Sequence, residues 1–175
     1  MQSFEHGPLG KTVAASRHYS PEILHAICRQ GARDAVGVSS SALPFTGVDV
    51  WHGYEVSWLD RNGKPVVAVA RVTVPCESPC IVESKSLKLY LNSLNYTRFE
   101  TPELVRAVIA QDISLVIGAS VHVELFQTVG EKALMPSEFA GISLDDLAVS
   151  IDDYCYRPQY LHALHHGNNG ERLQV

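Results

Sequence analysis

Residues 54–74 read YEVSWLDRNGKPVVAVARVTV, and this stretch predicts the β-hairpin around which the fold is built. Alternation of polar and apolar residues places Tyr54, Val56 and Trp58 on one face of a first strand. The Asn-Gly dipeptide near the middle is the strongest short turn signal and predicts a hairpin. The β-branched run over 65–74 then predicts a second strand antiparallel to the first.

An amphipathic helix is predicted after the hairpin. Pro75 and Pro79 end the second strand, and residues 81–82 are predicted to form a short link. The helix spans 84–94, because its leucines recur at i, i+4 and i+7 while lysines and an asparagine lie on a different face. The leucines are Leu87, Leu91 and Leu94.

A second helix has clear signals at both ends. Thr101 is suited to the N-cap, and Pro102 to the first turn. Apolar residues then recur at helical spacing as far as about Ile117, and Gly118 can form the C-cap.

Further strands complete the predicted order of elements. Residues 120–126 alternate, with valine and leucine on one side, and residues 147–151 form a last apolar stretch. The order strand, strand, helix, helix, strand, strand predicts an α+β fold, with an antiparallel sheet covered by helices on one face.

The amino-terminal region carries weaker signals. A short helix is predicted to open at Ser20, with proline following and with Leu24, Ile27 and Cys28 on one side. Residues 39–47 are predicted to be an irregular loop.

Composition places the chain among ordinary globular proteins. It has 175 residues, 46% of them hydrophobic and 19% charged, which suits one domain and argues against disorder. We expect no secretory signal and no membrane-spanning run. A net charge of -5 at pH 7 provides no broad basic surface, so we expect no direct nucleic-acid contact and a cytoplasmic location.

The four cysteines are predicted to be reduced. A disulfide framework is not expected in a chain without a secretory signal. Cys76 and Cys80 form a C-x3-C pair, which would need further ligands to hold zinc. The available histidines, His162, His165 and His166, lie in a polar stretch that we expect to be a solvated terminus. We therefore predict no metal site.

Residues 82–91, VESKSLKLYL, are the segment that contains the candidate ligand-binding residues. Glu83 immediately precedes the predicted helix, where glutamate is a poor side-chain cap but gains from the helix dipole. Ser84, Lys85 and Ser86, together with the backbone N–H groups of the first turn, could form an anion seat. Either this is a solvated first turn, or an acceptor for a purine-like N–H edge lies beside a seat for phosphate.

Residues 83–93, ESKSLKLYLNS, resemble the signature of the QueF family, the NADPH-dependent 7-cyano-7-deazaguanine reductases. These enzymes reduce a nitrile to a primary amine in queuosine modification of tRNA. The chain is most similar to the amino-terminal half of the two-module form, from about Gly10 to Leu161. Supporting stretches are residues 43–51, 54–59, 89–95, 97–99 and 151–154.

The resemblance implies a fold and a set of ligand contacts. The fold would be a tunnelling fold (T-fold), an antiparallel sheet with two helices between its second and third strands, which self-associates edge to edge. Val82, Glu83 and Ser84 would contact 7-cyano-7-deazaguanine, and Ser84 and Lys85 would contact NADPH. A carboxylate suits the first role because it can accept two N–H bonds from a guanine-like edge.

The chain departs from the family pattern at the catalytic residues. Family chemistry uses a cysteine that attacks the nitrile to give a thioimide, an aspartate proton donor and a His-Glu pair. In two-module enzymes these lie in the carboxy-terminal module, and we find no matching motif here; Phe99-Glu100 stands where one-module relatives carry His-Glu. Cys76 and Cys80 are the candidate substitutes, since Lys85 or a helix amino terminus could lower a thiol pKa, but we expect packed thiols.

We therefore expect three regions and weigh two functions. Residues 1–50 would be an amino-terminal extension, 51–155 the T-fold module, and 156–175 a tail or linker to a second, catalytic module. In the first reading, the chain is the amino-terminal module of a nitrile reductase and is inactive alone. In the second, it is a stand-alone, non-catalytic T-fold module for purine binding or assembly.

Overall fold

The computed structural model describes residues 16, 18–126, 143, 145–146, 148, 150, 152–155, 157, 162–164 and 172–174. The chain divides into two compact units, residues 1–135 and residues 136–175, and each is treated separately. The predicted regions 1–50, 51–155 and 156–175 stay a prediction.

In the first unit, one short strand and helix precede the central hairpin, and a short strand, two longer helices and a last strand follow it. In chain order they are a 3-10 turn (Pro21–Ile23), β1 (Ala26–Cys28), α1 (Gln30–Ala35), β2 (Val48–Leu59), β3 (Pro65–Pro75), β4 (Cys80–Val82), α2 (Ser84–Ser93), a second 3-10 turn (Leu94–Tyr96), α3 (Pro102–Ile117) and β5 (His122–Phe126). In the second unit, β6 (His162–Leu164) pairs with β7 (Arg172–Gln174) in antiparallel fashion.

An antiparallel three-stranded sheet with strand order β2-β3-β5 forms the centre of the first unit. The predicted hairpin is confirmed, and its turn places Gly63 at φ 86°, a left-handed conformation that favours glycine. β1 and β4 form a separate antiparallel pair. Both long helices lie between β3 and β5 in the chain, so the prediction of an α+β fold with an antiparallel sheet is confirmed.

The hydrophobic core lies between one face of this sheet and the two long helices. Burial alternates along β3, as expected for a strand covered on one face. The helix predictions are also confirmed. The Thr101 hydroxyl accepts a hydrogen bond from the Leu104 N–H at 3.4 Å, and Gly118 ends α3 at φ 73°. The largest fully buried side chains include Trp58, Tyr90, Leu94, Ile109, Ile113 and Ile117.

A β-bulge in β2 changes which side chains reach the core. The register between β2 and β3 shifts between Gly53 and Val56, so Tyr54 and Glu55 stand opposite one residue of β3. Tyr54 is consequently 67% exposed. The prediction that Tyr54 shares a face with Val56 was wrong, because strict alternation ends where the extra residue is inserted.

The amino-terminal prediction of a helix from Ser20 was also wrong. The chain makes only a 3-10 turn and becomes extended at Leu24, with ψ 132°. Residues 26–28 then pair with 80–82, so the predicted link at 81–82 is a strand as well. Each segment supplies the other's backbone hydrogen-bond partners, and this outweighs the local helix signal. The short helix α1 was missed, whereas 39–47 is a loop as predicted.

Hydrogen bonds to one carboxylate attach the segment before β1 to the helices. The hydroxyls of Tyr19 and Tyr90 both donate to Asp112 Oδ2, at 2.7 and 2.5 Å. Burial, and then the hydrogen bond to Asp112, raise the pKa of Tyr90 well above its usual value. Residues near Tyr19 are thus part of the packed unit.

Other predictions fall on or beside the second unit. Of the predicted last strand, 147–151, only Ala148 and Ser150 are described, and neither is in a strand. The predicted tail includes His162, whose backbone pairs in β6, while His165 and His166 lie outside the described residues. Among the helices of the described residues, none is long and apolar enough to cross a membrane.

The packing of α3 generates a matched test. Ile113 is fully buried, whereas Leu115 on the same helix is 74% exposed. We expect Ile113→Ala to lower the free energy of unfolding by about 2–5 kcal/mol, because it removes core contacts and leaves a cavity. Leu115→Ala should change it by less than about 0.5 kcal/mol. Urea unfolding followed by circular dichroism measures both, and equal losses would contradict this packing.

Candidate functional site

The carboxylate of Glu83 lies where β4 runs directly into α2. Glu83 is the N-cap residue, with an extended backbone at ψ 132°. Its Oε1 accepts the N–H of Lys85 at 2.9 Å, and its Oε2 accepts the N–H of Ser86 at 2.7 Å. The expectation that glutamate caps poorly was wrong here. Each oxygen satisfies a different N–H, and the positive end of the helix favours the charge.

Strand β1 fixes this cap from the other side. The N–H of Glu83 donates to the carbonyl of His25 at 2.8 Å. The Ser86 hydroxyl donates to the Glu83 carbonyl at 2.7 Å and accepts the N–H of His25 at 3.1 Å. Ser86 is fully buried and Glu83 is only 4% exposed. The N–H groups of α2 therefore orient the carboxylate, while His25, the residue before β1, fixes the main chain of Glu83.

This arrangement changes the predicted anion seat. The N–H groups of Lys85 and Ser86, which would have received a phosphate, already bind the Glu83 carboxylate. A second anion at the same N–H groups would face a fixed negative charge. What remains for an anion are side chains: Ser84 is exposed and Lys85 is half-buried.

An open groove of about 350 Å³ begins beside Ser84 and runs between α2 and the bulge of β2. Lys88 and Asn92 stand on the helix side of the groove, and the rings of His52 and Tyr54 stack on the strand side with centroids 5.9 Å apart. Its other lining residues are Trp51, Gly53, Glu55, Ala70, Val72, Leu87 and Leu91.

Of the predicted ligand residues, the structure puts Ser84 on this groove, whereas Val82, Glu83 and Lys85 are not among its lining residues. Val82 is buried in the core. Sequence reasoning missed His52 and Tyr54, whose placement depends on the bulge. The one local signal of the bulge was Gly53, the glycine between them.

The candidate nucleophiles do not lie at this groove. Cys76 is buried, and Cys80 lies in β4 with its Sγ 3.2 Å from the Sγ of Cys28. Burial, followed by the hydrogen bond with Cys28, raises the pKa of the Cys80 thiol. This is opposite to the lowering that a substitute nucleophile would need. Among the described residues, no three His, Cys, Asp or Glu side chains group as metal ligands.

Comparison with known proteins links this site to one family. The profile described as nitrile reductase, 7-cyano-7-deazaguanine-reductase N-term, matches residues 15–125. Relatives named NADPH-dependent 7-cyano-7-deazaguanine reductase are 49% identical over 160 residues in Chromohalobacter salexigens and 44% over 159 in Chromobacterium violaceum. One from Xanthomonas campestris pv. campestris (strain B100) is 52% identical over 158 residues.

The coverage of these matches is unequal. They include 91%, 91% and 88% of this chain, respectively, but only 57%, 57% and 55% of the relatives. The chain thus spans little more than half the length of the curated relatives it matches.

The double cap at Glu83 can be tested by stability. We expect Glu83→Ala to lower the free energy of unfolding by about 0.5–2 kcal/mol, since two N–H groups lose their acceptor. Glu83→Asp should retain most of it, because aspartate is a preferred N-cap residue with the same charge. Thermal and urea unfolding of the three proteins compare them. An alanine variant as stable as the original would show that the cap contributes nothing.

Proposed function

The chain belongs to the family of the amino-terminal part of the 7-cyano-7-deazaguanine nitrile reductases, and we propose that it contributes substrate and cofactor contacts to an NADPH-dependent 7-cyano-7-deazaguanine reductase. The reaction would be the reduction of the nitrile to the primary amine, in queuosine modification of tRNA. The relatives' names support the activity.

The observation that carries the proposal is the fixed carboxylate of Glu83. A carboxylate offers about four lone-pair directions, and the N–H groups of Lys85 and Ser86 use one on each oxygen. The remaining directions can accept two N–H bonds from the edge of a guanine-like base. Because main-chain donors already orient the group, little rotamer entropy is lost when a ligand binds. In this proposal Ser84 and the main chain of Val82, whose side chain is buried in the core, are further substrate contacts.

Ser84 and Lys85 are proposed to contact NADPH. Ser84 is exposed at the mouth of the groove, and the cation of Lys88 lies on the same side of it. A hydroxyl and cationic side chains provide partners for phosphate oxygens. This suits a cofactor held by side chains, since Glu83 occupies the N–H groups of the first turn.

The nucleophile is proposed to come from a second module. The resemblance implies that its cysteine adds to the nitrile carbon to give a thioimide, which hydride from NADPH then reduces. Of the candidate substitutes in this chain, Cys76 is buried and Cys80 faces Cys28. This proposal predicts that the chain is catalytically inactive by itself.

The fold is proposed to be a T-fold that self-associates through its sheet edges. The two helices between the second and third strands of the main sheet support this assignment. Within the described part of the chain β2 is an outer strand of that sheet, and an outer strand carries N–H and C=O groups without a neighbour in its own sheet. A cytoplasmic location stays a prediction.

Oxidation of NADPH tests the division of labour. With 7-cyano-7-deazaguanine and the isolated chain, we expect the absorbance of NADPH to stay constant. We expect it to fall once the family's carboxy-terminal module is added. Turnover by the chain alone would contradict the proposal. Tight binding of the purine by the chain alone, without any activity after mixing, would instead support the stand-alone binding module.

Glu83→Asp separates ligand binding from capping. Aspartate keeps the cap but draws the carboxylate back by one methylene, so we expect stability close to the original and at least tenfold weaker substrate binding, a loss of about 1.4 kcal/mol. Calorimetry on the mixed modules measures the binding, and Leu115→Ala, at an exposed residue of α3 outside the groove, is the control. Unchanged affinity in Glu83→Asp would remove Glu83 from the substrate site.

Edge pairing predicts the effect of a proline in β2. The N–H of Cys76 donates to the carbonyl of Gly47, so these two residues form a hydrogen-bonded pair at the end of the ladder between β2 and β3. Hydrogen-bonded and non-hydrogen-bonded pairs alternate along the ladder, so the N–H of Val50 points away from β3. We expect Val50→Pro to lower the oligomeric state measured by light scattering while the sheet persists. Trp51→Pro is the contrasting variant, because it removes a bond to β3. An unchanged assembly in Val50→Pro would contradict pairing through this edge.

A further inference from the structure

The side chains of Cys28 and Cys80 meet across the strand pair β1–β4. The two residues stand directly opposite each other in the register, and their sulfur atoms are 3.2 Å apart. Neither cysteine has a part in the proposed reductase chemistry. Both are free thiols in the structure.

The hydrogen-bond pattern identifies the kind of cross-strand position. The N–H of Glu83 donates to His25, and the N–H of Arg29 donates to Pro79. Hydrogen-bonded and non-hydrogen-bonded pairs alternate along an antiparallel ladder, so Cys28 and Cys80 form a non-hydrogen-bonded pair. At such pairs the Cα atoms are about 4.5 Å apart and the side chains are closest. That separation lies within the range of about 4.4–6.8 Å that disulfides span, so a bond can form without moving either strand.

The surroundings give an external reagent access to one sulfur. Cys28 is exposed, whereas Cys80 is half-buried behind it. Cys28 lies on the wall of a second cavity, of about 380 Å³, which Arg29 and Cys76 also line. The Arg29 guanidinium acts against the rise in the pKa of Cys80 by favouring its thiolate. A small disulfide can therefore approach Cys28 first, with Cys80 placed to react second.

We propose that Cys28 and Cys80 are a redox-active dithiol, a modification site that low-molecular-weight disulfides oxidise to an intramolecular disulfide. The Cys28 thiolate attacks one sulfur of the reagent, forming a mixed disulfide and releasing one thiolate. The Cys80 thiolate then attacks the Cys28 sulfur, forming the internal bond and releasing the second thiolate. The protein loses two protons and two electrons, and the reagent becomes two thiols.

The bond would act on the strand pair that supports Glu83. It closes a segment of 52 residues that contains the central hairpin. Its position is at one end of β1–β4, and the hydrogen bond from the Glu83 N–H to the His25 carbonyl lies at the other end. Oxidation would thus fasten β1 covalently to the strand that leads into α2. Reducing conditions keep the thiols free, and a rising ratio of disulfide to thiol closes the bond.

The test is oxidation of the full chain with excess oxidised glutathione, followed by alkylation and mass spectrometry. Digestion with trypsin and a glutamate-specific protease separates Cys76 from Cys80, since Glu77 lies between them. We expect one Cys28–Cys80 cross-link, loss of the Cys28 and Cys80 thiols while the buried Cys76 stays reduced, and full reversal by dithiothreitol.

Single variants check the order of the steps. Cys80→Ser should trap glutathione on Cys28, whereas Cys28→Ser should leave the half-buried Cys80 largely unmodified. The control Cys155→Ser, at an exposed cysteine outside the strand pair, should leave the cross-link intact. Stable glutathione on Cys28 in the original chain, a cross-link to Cys76 instead, or retention of all four thiols would each overturn the proposal.

Discussion

The binding of the Glu83 carboxylate to the first N–H groups of α2 is the interaction on which the site depends. A buried charge is costly unless donors surround it, and here two main-chain N–H groups and the positive end of a helix perform that role. The same contact caps the first turn of α2, the helix that covers the sheet. It also fixes the carboxylate of Glu83, the acidic residue among the proposed ligand residues. In the proposed function, stability and recognition therefore share one side chain.

The strand pair β1–β4 makes that arrangement possible. β4 has only three residues, and it is extended because β1 satisfies its main-chain groups. His25, the residue before β1, also binds Ser86, so the amino-terminal segment supports the first turn of α2 from outside. A region that looks like a loop-rich extension in sequence is thus part of the frame of the site. The Cys28–Cys80 contact lies in this same frame, which connects its redox chemistry to the position of Glu83.

Signals that depend on a few neighbouring residues were readable in advance. The hairpin, the caps of α3 and the leucine face of α2 all follow from contacts within a turn or two. The helix predicted from Ser20 failed because strand pairing with residues more than fifty positions away overrode a local start signal. Alternation at Tyr54 failed because a bulge depends on the partner strand. The phosphate seat failed in part because the N–H groups of Lys85 and Ser86 were assigned to a ligand when a side chain already bound them.

The sequence by itself determined the α+β order of elements, the family and the identity of the residues before and inside α2. These depend on periodicity, capping chemistry and a contiguous motif, all of which are local. Only the tertiary structure decided that Glu83 is a buried cap, that Ser84 opens onto a groove with His52 and Tyr54, and that Cys28 faces Cys80. Each of these depends on chain segments that are distant in sequence and brought together by strand register and helix packing, which no local pattern encodes.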